Sequence, residues 1–153
     1  AGFFRDRKRS LYEGGVRVPA FVVWKDRIKS GVRTNFPAMT SDYLPTIIDL
    51  LDVEYPDERP LDGLSLMELM DSAITERNCA IGFICDPYIS WVTDRYKLIQ
   101  PLKEGAFELY DLKKDKEERK NIVDEYPEIA EGLRSDLNKW LVSINKSSEG
   151  HDY

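Results

Sequence analysis

The sequence predicts an α/β edge, one strand and one helix, joined to a small α+β unit made of an antiparallel sheet and a long helix. Three observations carry that reading. Val16 to Trp24 is a continuous apolar run, and Leu44, Ile47, Ile48 and Leu51 after it fall at i, i+3, i+4 and i+7. Between Cys79 and Leu112 the chain breaks into short strand-like segments separated by turn residues. From Ile129 to Ile144 a single broad apolar stripe runs at helical spacing.

Taken in order, Val16-Arg-Val-Pro-Ala-Phe-Val-Val-Trp24 is apolar apart from Arg17 and rich in β-branched residues, the pattern of a strand covered on both faces. Pro19 then has to lie at the strand's start, or where its missing N–H faces no partner. A polar turn, Lys25 to Gly31, follows. Ser41 or Asp42 can cap a helix over Tyr43 to Leu51, with Pro45 tolerated in its first turn. Asp52 to Pro60 is an acidic connector, and Ser65 caps a short helix ending at Met70. The predicted strands are Cys79–Cys85, Tyr88–Thr93, Arg95–Gln100 and Phe107–Leu112, with turns at Asp86-Pro87, Thr93-Asp94 and Lys103-Glu104-Gly105. Asp111 to Lys120 is dense in mixed charge and is expected to be solvated, including the pair Glu117-Glu118. Pro127 opens a helix over about 127–145, and the tail from Lys146 is expected to fray. The expected division is residues 1–72 as the α/β edge and 73–153 as the smaller unit.

The 153 residues, 42% hydrophobic and 33% charged, suit one ordinary globular domain or one and a half small units. No apolar run approaches the roughly 20 residues that span a bilayer, so no membrane span is expected. Ala1-Gly-Phe-Phe-Arg-Asp-Arg-Lys8 has neither the apolar core nor the cleavage pattern of a signal peptide. With no initiator Met, a mature, trimmed or partial chain all remain open. The net charge of −6 argues against nucleic-acid binding, yet Arg5 to Arg33 holds nine cations against three acids. A local positive field in an acidic chain suits a small anion better than a polyanion. Cys79 and Cys85 would lie about 20 Å apart along one straight strand, too far to pair, and read as free, buried thiols. The only histidine is His151, so no metal site and no Ser/His/Asp set can be read.

The chemistry therefore falls on the cations of Lys8-Arg-Ser-Leu-Tyr-Glu-Gly-Gly-Val-Arg-Val-Pro19. A lysine ammonium is a compact charge that can hold an oxyanion or steady a leaving oxygen. Gly14-Gly15 permits a turn or a close backbone approach. Arg17, set among apolar residues, needs a partner, and Glu13 four residues earlier is the nearest.

This stretch resembles the Lys-x-x-x-Tyr/Trp-Glu-Gly-Gly-x-Arg-x-Pro signature of the type I, formylglycine-dependent sulfatases. Further stretches are similar to that family in the same order: Ser41 to Leu51, Leu61-Asp-Gly-Leu-Ser-Leu66, and then Arg95-Tyr-Lys-Leu-Ile99 with Glu108-Leu-Tyr-Asp-Leu112 and Asp115 to Asn121. Within the family the likeness is to bacterial arylsulfatases and N-acetylgalactosamine-6-sulfatase-like enzymes, and to their C-terminal part. After Trp24, Lys25-Asp26 stands where the family often has Pro-Gly.

The resemblance implies part of an alkaline-phosphatase-like α/β fold and a hydrolase of sulfate monoesters, of sugars or aryl compounds. It implies that Lys8 contacts the sulfate and stabilises the leaving oxygen, with Tyr12, Glu13, Gly14, Gly15 and Arg17 as its structural support. Calcium and formylglycine are implied for the parent enzyme and neither for this chain. Cys79 and Cys85 are followed by Ala-Ile-Gly-Phe and Asp-Pro-Tyr-Ile, which do not fit the formylglycine sequence. The chain alone is expected to be inactive. Tyr88, Trp91 and Arg95 are candidates for sugar contact, with core packing the favoured role for Trp91. A periplasmic, secreted or lysosomal location is implied by the family alone. Two other readings stay open: a free-standing module that binds sulfate or an anionic glycan through Arg5 to Arg17, and a phosphatase or phosphodiesterase of the same superfamily.

Overall fold

The computed structural model describes residues 2–56, 60–71, 74–101 and 105–151. They form two compact units, one built from residues up to Pro19 together with Asn78–His151, the other from Ala20–Arg77. Residues 2–19 thus group with Asn78–His151, whereas the expected division fell at residue 72.

In the first unit, strands β1 (Ile81–Cys85), β2 (Tyr88–Val92), β3 (Tyr96–Gln100) and β4 (Glu108–Asp111) make a four-stranded antiparallel meander in sequence order. The predicted strands are all present, each trimmed by a residue or two. Of their turns, Lys103-Glu104 lies outside the described residues. Alternation gives the sheet two working faces. On one, Gly82, Trp91, Leu98 and Leu109 stand opposite one another across the four strands. The helix α1 (Pro127–Ser148) lies over this face, with Ala130 and Leu137 buried against Leu98 and Leu109.

Proline at its first position costs nothing there, because that N–H has no intrahelical partner. Trp140 of α1 reaches the sheet at Gly82, where any Cβ would collide with the indole, and its ring lies 5.5 Å from that of Trp91. The helix runs on through Ser148, three residues beyond its expected end at 145.

The opposite face carries Phe83, Lys97, Ile99, Glu108 and Tyr110, and the N-terminal segment covers it. Leu11 and Tyr12 are buried against Ile99 and Tyr110, with Val16, Phe83, Cys85, Tyr88 and Leu112 packed around them. The unit is therefore a helix, a sheet and a folded segment stacked in that order.

The second unit holds a nine-residue helix, Tyr43–Leu51, and a single helical turn, Met67–Met70. Both were expected, and the Ser65 hydroxyl accepts the N–H of Met67 at 3.2 Å. Their organising residue is Asp42, read from the sequence only as a possible cap. It is fully buried and pairs through both oxygens with Arg77, at 2.7 and 2.8 Å. It also accepts the N–H groups of Met39 and Leu64, at 2.8 and 3.0 Å. Burial pushes the Asp42 carboxyl upward, but the Arg77 and backbone hydrogen bonds outweigh it and hold the carboxyl below its ordinary range.

Two expectations are corrected. Val16 to Trp24 forms no strand: Val16 ends a helical turn, and Phe21 and Val23 are 90% and 84% exposed. A strand exists through the neighbours that take up its backbone hydrogen bonds, and among the described residues none pairs with this run. Cys79 lies before β1 and is exposed, not buried; Cys85 is half-buried, and both are free thiols.

Candidate functional site

Lys8 sits at the tip of a turn. The N–H of Ser10 bonds to the carbonyl of Arg7 at 3.1 Å, and Arg9 takes a left-handed backbone with φ of 80°. Asp6 is left-handed too, at 64°. A side chain at positive φ costs roughly 1 kcal/mol or more, so surrounding contacts must impose it. The glycine pair supplies those contacts. Glu13–Val16 forms one helical turn, and the N–H of Gly14 bonds to the carbonyl of Arg5 at 2.8 Å. A Cβ on Gly14 would collide with the carbonyls of Arg5 and Asp6, and one on Gly15 with those of Arg7 and Ser10. Glycine at both positions is what lets the 5–10 loop close onto this turn. The closed loop leaves the Lys8 side chain exposed, between two arginines that are exposed as well.

Beneath the turn lies a buried ionic centre. The Lys97 ammonium is inaccessible and donates to Glu13 Oε1 at 2.7 Å, Glu118 Oε1 at 2.8 Å and the Leu11 carbonyl at 3.2 Å. Glu118 Oε2 accepts the backbone N–H of Glu13 at 2.6 Å, and Arg17 donates to Glu13 Oε2 at 3.0 Å. Two cations and two carboxylates thus balance, and all three ammonium protons of Lys97 have acceptors. Burial pushes the Glu118 carboxyl above its ordinary value, against the charge and hydrogen bond of Lys97. Glu118 was expected to be solvated; it is fully buried and reaches inward from a backbone with φ of 55°.

A second polar group fixes the other end of the loop. Tyr12 and Tyr110 both donate to Glu108 Oε2 at 2.6 Å. Arg5 donates to the Tyr110 hydroxyl at 2.6 Å and lies 3.8 Å over the Tyr12 ring. Burial, then Glu108, raises both tyrosine pKa values well above ordinary, so both hydroxyls remain protonated donors.

Of the residues expected to meet sugar, Tyr88 packs into the cluster around Leu11 and Tyr110, and Trp91 lies under the helix on the opposite face. Arg95 is exposed but pairs with Asp111 at 2.8 and 3.0 Å. The sheet itself separates Tyr88 from Trp91, so the three do not form one contact surface. Lys97 and Glu118 were missed as site residues; only the apolar setting of Lys97, between Tyr96 and Leu98, signalled a cation in need of partners.

Residues 1–146 match the model of the N-sulphoglucosamine sulphohydrolase C-terminal family, and the chain belongs to that family. It is 34% identical to rat steryl-sulfatase over 61% of this chain and 16% of that one. It is 25% identical to N-acetylgalactosamine-6-O-sulfatase of Bacteroides thetaiotaomicron over 86% of this chain and 29% of that one. A solved Bacteroides thetaiotaomicron structure, described with the metabolism of multiple glycosaminoglycans, shares its fold with a TM-score of 0.76. That likeness, at 22% identity, covers 90% of this chain and 32% of the other. The chain spans less than a third of the length of each of these relatives.

Proposed function

We propose that this chain supplies the C-terminal part of a sulfatase that hydrolyses sulfate monoesters, and that Lys8 is its contribution to the reacting centre. The observation that carries the reading is the exposed Lys8 on a turn whose backbone is closed down by Gly14 and Gly15. A fixed ammonium facing a sulfate group neutralises charge on its oxygens and steadies the one that leaves with the alcohol. Tyr12, Glu13, Gly14, Gly15 and Arg17 hold the turn and do not touch the substrate. The family match and the relatives named as sulfatases support the reaction class, and the N-acetylgalactosamine-6-O-sulfatase supports a sulfated sugar as substrate.

Calcium and formylglycine do not fit the residues present. Among the described residues no three His, Cys, Asp or Glu side chains gather as a metal would need, and neither cysteine stands in a formylglycine sequence. In this reading both belong to a partner segment of the same enzyme outside these 153 residues, and the isolated chain turns nothing over.

The test is turnover of an aryl sulfate and of a 6-sulfated amino sugar by the full-length enzyme. Lys8→Ala should lower kcat by about a hundredfold, as removal of one preorganised oxyanion donor does, with an unchanged melting temperature. An unaltered rate would remove Lys8 from the site. Turnover by the isolated 153-residue chain would overturn the division of labour.

A further inference from the structure

We infer that Lys97 and Glu118 are positioning residues for the Lys8 turn, so that the C-terminal sheet acts in the reaction through a buried ionic centre. The inference rests on the sulfatase reading and adds to it a task for the sheet unit. The path is short and consists of hydrogen bonds. Lys97, in the middle of β3, binds the Leu11 carbonyl and Glu13 Oε1 on either side of Tyr12. Glu118 binds both Lys97 and the backbone N–H of Glu13. The turn from Glu13 to Val16 is therefore held at its first residue by side chain and main chain together. Gly14 and Gly15 rest on the carbonyls of residues 5–7 and 10, which are the frame of the Lys8 turn. A shift of the Glu13 turn has to pass into the 5–10 loop, because no gap remains between them.

The centre is also built for registration. Its parts come from positions 84 and 105 residues apart in the chain, and its acceptors leave Lys97 one position only. Burying a charge unpaired is prohibitive, so a displaced Glu13 turn would strand Lys97 and is disfavoured. Lys8 itself needs no burial and keeps its charge free for a ligand.

The experiment uses the full-length enzyme carrying Glu118→Gln, alone and with Lys8→Ala. An amide side chain cannot accept from both Lys97 and the Glu13 N–H, since one of its two atoms is a donor. Glu118→Gln should lower kcat/KM for an aryl sulfate about tenfold or more, in keeping with the cost of a misplaced catalytic group. In the Lys8→Ala background the same change should cost less than about twofold, because residues acting through one another are not additive. Equal losses in both backgrounds would overturn the inference.

Hydrogen exchange gives a readout independent of turnover. The Ser10 and Gly14 amides should exchange at least about tenfold faster in Glu118→Gln, while β2 and β3 amides keep their protection. Unchanged Ser10 and Gly14 exchange would likewise overturn it. If Lys8→Ala leaves turnover intact, the sulfatase role of Lys8 falls, and the exchange data still decide whether the centre holds the turn. Lys97→Arg, which keeps the charge but not the three-way geometry, provides the same two readouts should Glu118→Gln fail to fold.

Discussion

Glu13 is held by two cations that are not equivalent. Arg17 is 35% exposed and bonds one oxygen, whereas Lys97 is inaccessible and bonds the other. The sequence exposed the first pair, because residues four apart meet on a helical turn. It concealed the second, because Lys97 and Glu118 come from a strand and a loop far along the chain. Losing Arg17 does not strand Glu13, because Lys97 still holds its other oxygen. Arg17→Ala should cost about 1 kcal/mol or less, in the range of half-exposed ion pairs. Lys97→Ala leaves two buried carboxylates facing each other and should cost about 3–5 kcal/mol. Denaturant midpoints of the two variants check the ordering, and equal midpoints would refute it.

Individual elements were legible where their signal is local. The Tyr43–Leu51 helix, the four strands and the Pro127 helix follow from spacing and turn residues within each segment. The Val16–Trp24 strand failed for the complementary reason: its composition suits a covered strand, but pairing is supplied by other elements. Around the Tyr43–Leu51 helix the missed feature is again long-range, since Asp42 and Arg77 are 35 residues apart. That pair carries a pH dependence.

The Asp42 carboxyl is depressed in the folded state. Its contribution is therefore complete above the unfolded aspartate pKa of about 3.9. It disappears as the pH falls through the lower folded value. Acid titration followed by the Met39 and Leu64 amide resonances should show the second unit intact at pH 5 and loosening only below pH ~3.9. Loosening that begins near neutrality would assign the sensitivity to another group.

At the scale of the whole molecule the apolar surface is distributed unevenly. In the sheet unit the core is closed, with Leu98, Ile99, Leu109 and Leu137 inaccessible. In the second unit, Phe21, Val22 and Val23 are exposed, and so are Leu44, Ile47, Leu50 and Leu51 of its helix. Exposed apolar side chains contribute little to the stability of the chain that carries them, and surface substitutions usually stay within about 0.5 kcal/mol. The chain also spans less than a third of the relatives it matches. If the remaining part of a sulfatase covers this run, the same side chains become core there, at about 25 cal/mol per Å² of apolar surface buried. Phe21→Ser and Val23→Ser should then leave the melting temperature of the 153-residue chain unchanged and lower that of the full-length enzyme by several degrees. Thermal melts of both proteins decide it: equal shifts in the two, or none in the longer one, would mean that this run is covered by nothing in the parent enzyme.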